Sequence, residues 1–143
     1  QRLTALRHVM QTKNIDIKII DTYGGDTWIN QVQEFTKSGA KRCLFCYRAR
    51  LTRTAEFARD AGINYFTTTL LTSPYQDLEQ INAIGTEIAR NYHLDFVFAD
   101  FRPTHYPGIN RAREMNIYRQ KYCGCFFSQS ESAARLKKSS RKD

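Results

Sequence analysis

The sequence predicts a single α/β domain, with three layers and a mostly parallel β-sheet flanked by helices. Three observations lead there. Runs rich in β-branched and aromatic residues are separated by stretches long enough to be whole helices, as parallel strands require. Those stretches carry apolar residues at helical spacing. A chain of 143 residues, 41% of them apolar, supports one core and leaves no room for two.

In chain order, Leu3, Leu6, Val9 and Met10 predict an opening helix, and the chain starts inside it without a Met, as if an N-terminal piece were missing. "IDIKII" (Ile15 to Ile20) follows as a buried strand between Asn14 and the turn-forming "DTYGGD". Trp28, Val32 and Phe35 share one face of a helix from Trp28 to Lys37, capped at Ser38-Gly39. The next helix starts near Cys43, turns Tyr47, Leu51, Ala55 and Ala58 inward, and ends at Gly62, leaving Arg48, Arg50 and Arg53 to line a face. "NYFTTTLL" reads as a strand closed by "TSPYQD", where Asp77 is an N-cap. Leu78, Ile81, Ile84 and Ile88 stripe the helix after it, "LDFVFADF" is a further strand, and a short helix from Gly108 to Met115 leads through Asn116. Ligands of parallel sheets sit beyond the carboxyl ends of the strands, so "DTYGGD", "TSPYQD" and "DFRPTHYPG" should share one rim. The domain then spans residues 1–128, and the basic, aperiodic residues 129–143 form a disordered tail.

A formal charge of +8 points to a polyanionic partner, discounted by what the tail contributes. No apolar run nears the roughly 20 residues that span a bilayer, and no signal-peptide pattern is present, which predicts a cytoplasmic protein. In that reducing compartment four cysteines suit metal or redox chemistry better than structural disulfides.

The cysteines form two close pairs, Cys43 and Cys46 in "KRCLFCYR" and Cys123 and Cys125 in "KYCGCFF". At a helix start Cys43 would meet unpaired N–H groups, and Lys41, Arg42, Arg48 and Lys121 would further favour thiolates. Gly124 lets the backbone turn sharply between two ligands. Four thiolates from two clips suit structural zinc or an iron–sulfur cluster, with a redox disulfide or inert cysteines as further alternatives. If one centre is shared, the four sulfurs should lie within roughly 8 Å of one another.

"KRCLFCYRARL", "YFTTTLLTSPY", "DFR" and "YRQKYCGC", in that order, resemble the cobalamin-independent epoxyqueuosine reductases of the QueH type over nearly the whole chain to Ser128. The resemblance implies an oxidoreductase that reduces epoxyqueuosine to queuosine at the wobble position of tRNA. It also implies a [4Fe–4S] cluster with an additional iron ion, held by cysteines among Cys43, Cys46, Cys123 and Cys125, and an electron donor of unknown identity. The family's N-terminal adjacent-cysteine motif has no counterpart in these residues. Without the resemblance, the same cysteines and charge would fit a non-catalytic zinc-stapled RNA-binding module, or a thiol oxidoreductase built on Cys43 and Cys46.

For the RNA, Tyr118, Arg119, Lys121 and Tyr122 interleave cations for phosphates with rings for unpaired bases, or form a solvated turn. Thr69, Ser73 and Tyr75 offer hydroxyls at a strand end, and Arg102 with Asp100 is either a ligand-facing pair or an ion pair. No catalytic acid or nucleophile stands out.

Overall fold

The computed structural model describes residues 1–20, 30–32 and 39–139. The "DTYGGD" turn with its paired glycines, the predicted Trp28 to Lys37 helix apart from residues 30–32, and Ser38 of its cap lie outside the described residues. Two compact units emerge, Asp21–Tyr106 and Gln1–Ile20 with Pro107–Asp143.

The larger unit carries the α/β character. Its long helix, called α2 after the opening helix α1 (Arg2–Thr12), runs Gly39–Asp60 and buries Tyr47, Leu51, Ala55 and Ala58, the face the sequence predicts. It closes where Gly62 takes φ +69°, a left-handed conformation that costs glycine little. There the Gly62 and Ile63 amides donate to Arg59 and Ala58 carbonyls at 3.0 and 2.8 Å, satisfying the last turn. Strand β1 (Tyr65–Phe66) follows, then a 3-10 turn over Thr69–Thr72, then α3 (Leu78–Tyr92) and β2 (Asp95–Phe96).

The two strands pair in parallel, Tyr65 opposite Asp95 and Phe66 opposite Phe96, with α3 as the crossover. Asp77 caps α3 as predicted, its carboxylate accepting from the Gln80 amide at 3.0 Å. Leu78, Ile81, Ile84 and Ile88 are buried against α2 and Leu71, and Val32 is fully buried as well. Phe96 packs on Phe66 with ring centroids 5.3 Å apart.

The α/β class therefore holds, with corrections to its parts. The strands are two residues each, and the three-layer arrangement goes unconfirmed among the described residues. The chain leaves the sheet at Thr68, whose hydroxyl accepts from the Leu70 amide at 3.2 Å and caps the 3-10 turn, inside which Thr72 donates to the Thr69 carbonyl at 2.8 Å. Thr67 still donates to the Val97 carbonyl at 2.7 Å, tying the strand ends together.

In the smaller unit α1 matches its predicted helix yet buries no residue. Ile15 to Ile20 is not a strand: no ladder forms there among the described residues, and Ile15, Ile17, Ile19 and Ile20 stay exposed. Helix α4 (His105–Glu114), whose first two residues belong to the larger unit, begins three residues before the predicted Gly108, with Pro107 in its first turn, where a missing N–H costs nothing. It closes on Asn116 at φ +50°. Helix α5 (Phe126–Ser139) occupies most of the segment predicted to be a disordered tail, where Ala133, Ala134, Arg135, Leu136, Lys137 and Lys138 are all good helix formers. No helix of the described residues is long and apolar enough to cross a membrane.

Candidate metal centre

Helix α2 positions the first thiol pair. It starts at Gly39, four residues earlier than Cys43, so Cys43 follows the first turn instead of opening the helix, and the dipole's pull on it is weaker than expected. Cys43 is exposed and Cys46 half-buried. Arg48, expected beside the thiols, forks onto Glu87 of α3 with bonds of 2.7 and 2.8 Å. The helical spacing explains this: Arg48 follows the buried Tyr47 and faces the rim of the α2–α3 packing.

Tyr47 is a residue the sequence assigns only to the core. It follows Cys46 directly and lies one turn beyond Cys43, only 4% exposed. Its hydroxyl donates to Gln76 Oε1 at 3.0 Å and accepts from the Asp77 amide at 3.3 Å, pinning the thiol-bearing helix to the start of α3. Burial pushes the phenol pKa up, the Asp77 amide opposes the shift, and the nearby charges of Cys43, Asp77 and Cys46 add to it. The group is thus held as a neutral donor.

The second pair sits just ahead of a helix. Cys125 immediately precedes α5, and its carbonyl accepts from the Gln129 amide at 3.0 Å, the first helical bond. Gly124 takes φ +94°, as the sequence expects of a residue between two ligands. A Cβ there would also stand 2.9 Å from Arg2 Nη1 of α1, so the turn is cradled by a guanidinium. Ser128 closes it: the Cys123 thiol donates to Ser128 Oγ at 3.1 Å, and that hydroxyl donates to the Cys125 carbonyl at 3.0 Å. Beside the turn, Gln120 Oε1 is a buried acceptor without a partner among the described residues, while the same amide donates to the Tyr122 carbonyl. Two thiols on one sharp turn just before a helix have the spacing of a clip for a soft metal ion.

The pairs belong to different units, Cys43 and Cys46 to the larger and Cys123 and Cys125 to the smaller. Among the described residues no group of three or more His, Cys, Asp or Glu side chains stands close enough to hold a metal ion. None of the four cysteines forms a disulfide.

The predicted RNA contacts fall in two places. Tyr118, Arg119 and Lys121 are exposed and Tyr122 half-buried, all on the segment leading into the C-G-C turn. Thr69, Ser73, Tyr75 and Arg102 follow the two strands in the larger unit. Thr69 and Ser73 have local duties, Thr69 through its carbonyl and Ser73 as acceptor of the Tyr75 amide at 3.3 Å. Arg102 is engaged with Asp100, which accepts from its Nε and Nη2 and, at 3.0 Å, from its backbone amide.

That pair makes a measurable prediction. Hydrogen bonds from the Arg102 guanidinium, and next from its amide, hold the Asp100 carboxyl at about 2, below its ordinary 3.8. A depressed acid stabilises the fold above its ordinary pKa and loses that contribution as pH falls through the depressed one. Both side chains are exposed, so the effect on stability is small. An NMR titration should place the Asp100 midpoint near 2, and Arg102→Gln should return it towards 3.8. An unchanged midpoint in the variant would contradict the assignment.

Comparison with known proteins gives a consistent answer. The family model described as "Epoxyqueuosine reductase QueH" matches residues 1–131, which include all four cysteines. Among curated proteins, the epoxyqueuosine reductase QueH of Thermotoga maritima is 40% identical over 119 residues, covering 80% of this chain and 62% of that protein. Its namesake from Streptococcus pyogenes is 33% identical over 112 residues, covering 74% of this chain and 43% of that protein. The Helicobacter pylori protein of the same name is 40% identical over 113 residues, 72% of this chain and 31% of its own. The chain thus spans less than two thirds of these relatives' lengths.

Proposed function

This chain belongs to the epoxyqueuosine reductase QueH family, and from that membership we propose that it works in reducing epoxyqueuosine to queuosine at the wobble position of tRNA. The observation that carries the reading is the family match across residues 1–131, which takes in both thiol pairs.

Removing the epoxide oxygen takes two electrons and two protons, leaves a carbon–carbon double bond and releases water. On this reading those electrons come from a redox cofactor, the usual carrier of such chemistry. Cys43, Cys46, Cys123 and Cys125 would serve as ligands to a [4Fe–4S] cluster with an additional iron ion, which supplies the electrons and a Lewis acid when bound. The electrons enter from an external donor. The chain's own residues have separate tasks. Ser128 and Gly124 shape the C-G-C clip, Tyr47 holds the C-x-x-C helix and keeps a phenolic proton beside it, and Arg119 and Lys121 offer charge to tRNA phosphates. Work on tRNA implies a cytoplasmic location.

Nucleoside mass spectrometry tests the reading. Full-length protein, purified without oxygen and given a chemical reductant and epoxyqueuosine-containing tRNA, should convert the epoxide nucleoside to the deoxygenated one. It should also carry iron and absorb broadly near 400 nm. Colourless zinc protein that binds the tRNA but leaves the nucleoside intact would overturn the proposal in favour of an RNA-binding module.

A further inference from the structure

Beyond the carboxyl ends of β1 and β2, three rings gather in the larger unit. The Tyr75 and His105 rings meet edge to face at 86° with centroids 6.3 Å apart, and His105 meets Tyr106 at 78° and 5.3 Å. Tyr75 is 82% exposed and Tyr106 68% exposed, so neither ring contributes to the core. What sets them apart from the chain's other exposed rings is that they meet through His105, which makes one surface that a stacking ligand can cover. Their backbone is held nonetheless. Ser73 accepts from the Tyr75 amide at 3.3 Å, and Tyr106 lies in the first turn of α4.

We propose that Tyr75, His105 and Tyr106 form a stacking platform for an unpaired base of single-stranded RNA. The proposal rests on the reading of the protein as one that acts on tRNA. It adds a contact for which the metal centre has no use. Two features favour a base over an apolar protein segment. Each ring has a polar edge that remains hydrated while its face stacks, which suits a nucleobase better than a dry seal. The chain carries a net charge of +8, complementary to a phosphate backbone. The position also obeys the rule that open parallel sheets bind ligands beyond the carboxyl ends of their strands. On this assignment the ring of Tyr75 matters, where the sequence suggests its hydroxyl.

A labelled RNA hairpin with an unpaired loop, titrated with full-length protein by fluorescence anisotropy at several salt concentrations, tests this. Tyr75→Ala and Tyr106→Ala should each weaken hairpin binding by roughly tenfold to a hundredfold. The slope of affinity against salt should be unchanged, since stacking releases no counterions. Tyr75→Phe and Tyr106→Phe keep the ring and should bind like the wild type. Both positions are exposed, so circular dichroism should be the same for all four variants. Alanine variants that bind the hairpin as the wild type does would overturn the platform alone, and a protein ligand would then be the remaining occupant. Phenylalanine variants as weak as the alanine ones would overturn stacking in favour of the hydroxyls. A wild type that binds no hairpin would overturn both the platform and the functional reading.

Discussion

Cys123→Ser is expected to reduce epoxyqueuosine turnover by at least about a hundredfold while changing tRNA affinity by less than about threefold. Losing a partner that merely orients a metal ligand already costs roughly tenfold to a hundredfold, and a ligand itself should cost more. The substitution is small and sits where the thiol is exposed. Cys123 makes one bond that the fold could miss, its donation to Ser128 Oγ at 3.1 Å, and a serine hydroxyl can make the same bond. The turn, held by Gly124 and by the Ser128 bond to the Cys125 carbonyl, therefore survives. What disappears is a soft thiolate, for which a neutral hydroxyl is no substitute. Paired measurements of iron content, turnover and tRNA binding separate the outcomes. Turnover at the normal rate would make "CGC" a structural staple. Loss of tRNA binding along with activity would mean that the turn, and not the metal, was broken.

The thiol pairs themselves were legible as close spacings: two residues between Cys43 and Cys46, one between Cys123 and Cys125. The residues that hold them were not. Tyr47 meets Gln76 and the Asp77 amide across about thirty residues of chain, a tertiary contact to which no local pattern points. Ser128 is a nearer case, since a hydroxyl three residues after Cys125 can bond back to its carbonyl, but so can most serines near a helix start.

The fold divides along the same line. The buried faces of α2 and α3 follow from a helical period that each segment carries within itself, and Asp77 announces its own cap. The strands fail because β propensity records a fit to a half-buried pleated surface, which other segments must provide. "IDIKII" has the composition of a buried strand and lacks a ladder among the described residues. "TTTLL" has the composition too, yet after Thr67, which still reaches the Val97 carbonyl, the Thr68 hydroxyl caps a 3-10 turn instead of continuing the strand.

Gly85→Ala is expected to destabilise the larger unit by about 2 kcal/mol, against the usual trend for a helix interior. Replacing an interior helical glycine with alanine normally gains about 1 kcal/mol, because glycine loses more backbone freedom on folding. Gly85 is buried in the middle of α3, where that gain should apply. Space decides otherwise. A Cβ at Gly85 would lie 2.5 Å from Phe96 Cδ1 and Cε1 and 2.7 Å from Cγ, so the methyl would press on the ring at its root as well as at its edge. Rotating the ring about its own axis does not relieve a contact at Cγ. Phe96 has little room to retreat as a whole either, because its ring is packed against Phe66 and its backbone is paired with β1. Overpacking of this sort costs about 1–3 kcal/mol, sometimes more, and the pinned ring puts the cost at the upper end. The cost outweighs the propensity gain by about 2 kcal/mol. Chemical denaturation should show a lower midpoint with an unchanged slope. If the variant is instead stabilised, Phe96 does not pack on α3 and the close approach of that helix to the parallel strand pair is wrong. Adding Phe96→Leu to Gly85→Ala removes the ring from the methyl's path. The double variant should then lose less stability than the two single changes summed, the non-additivity expected of residues in contact.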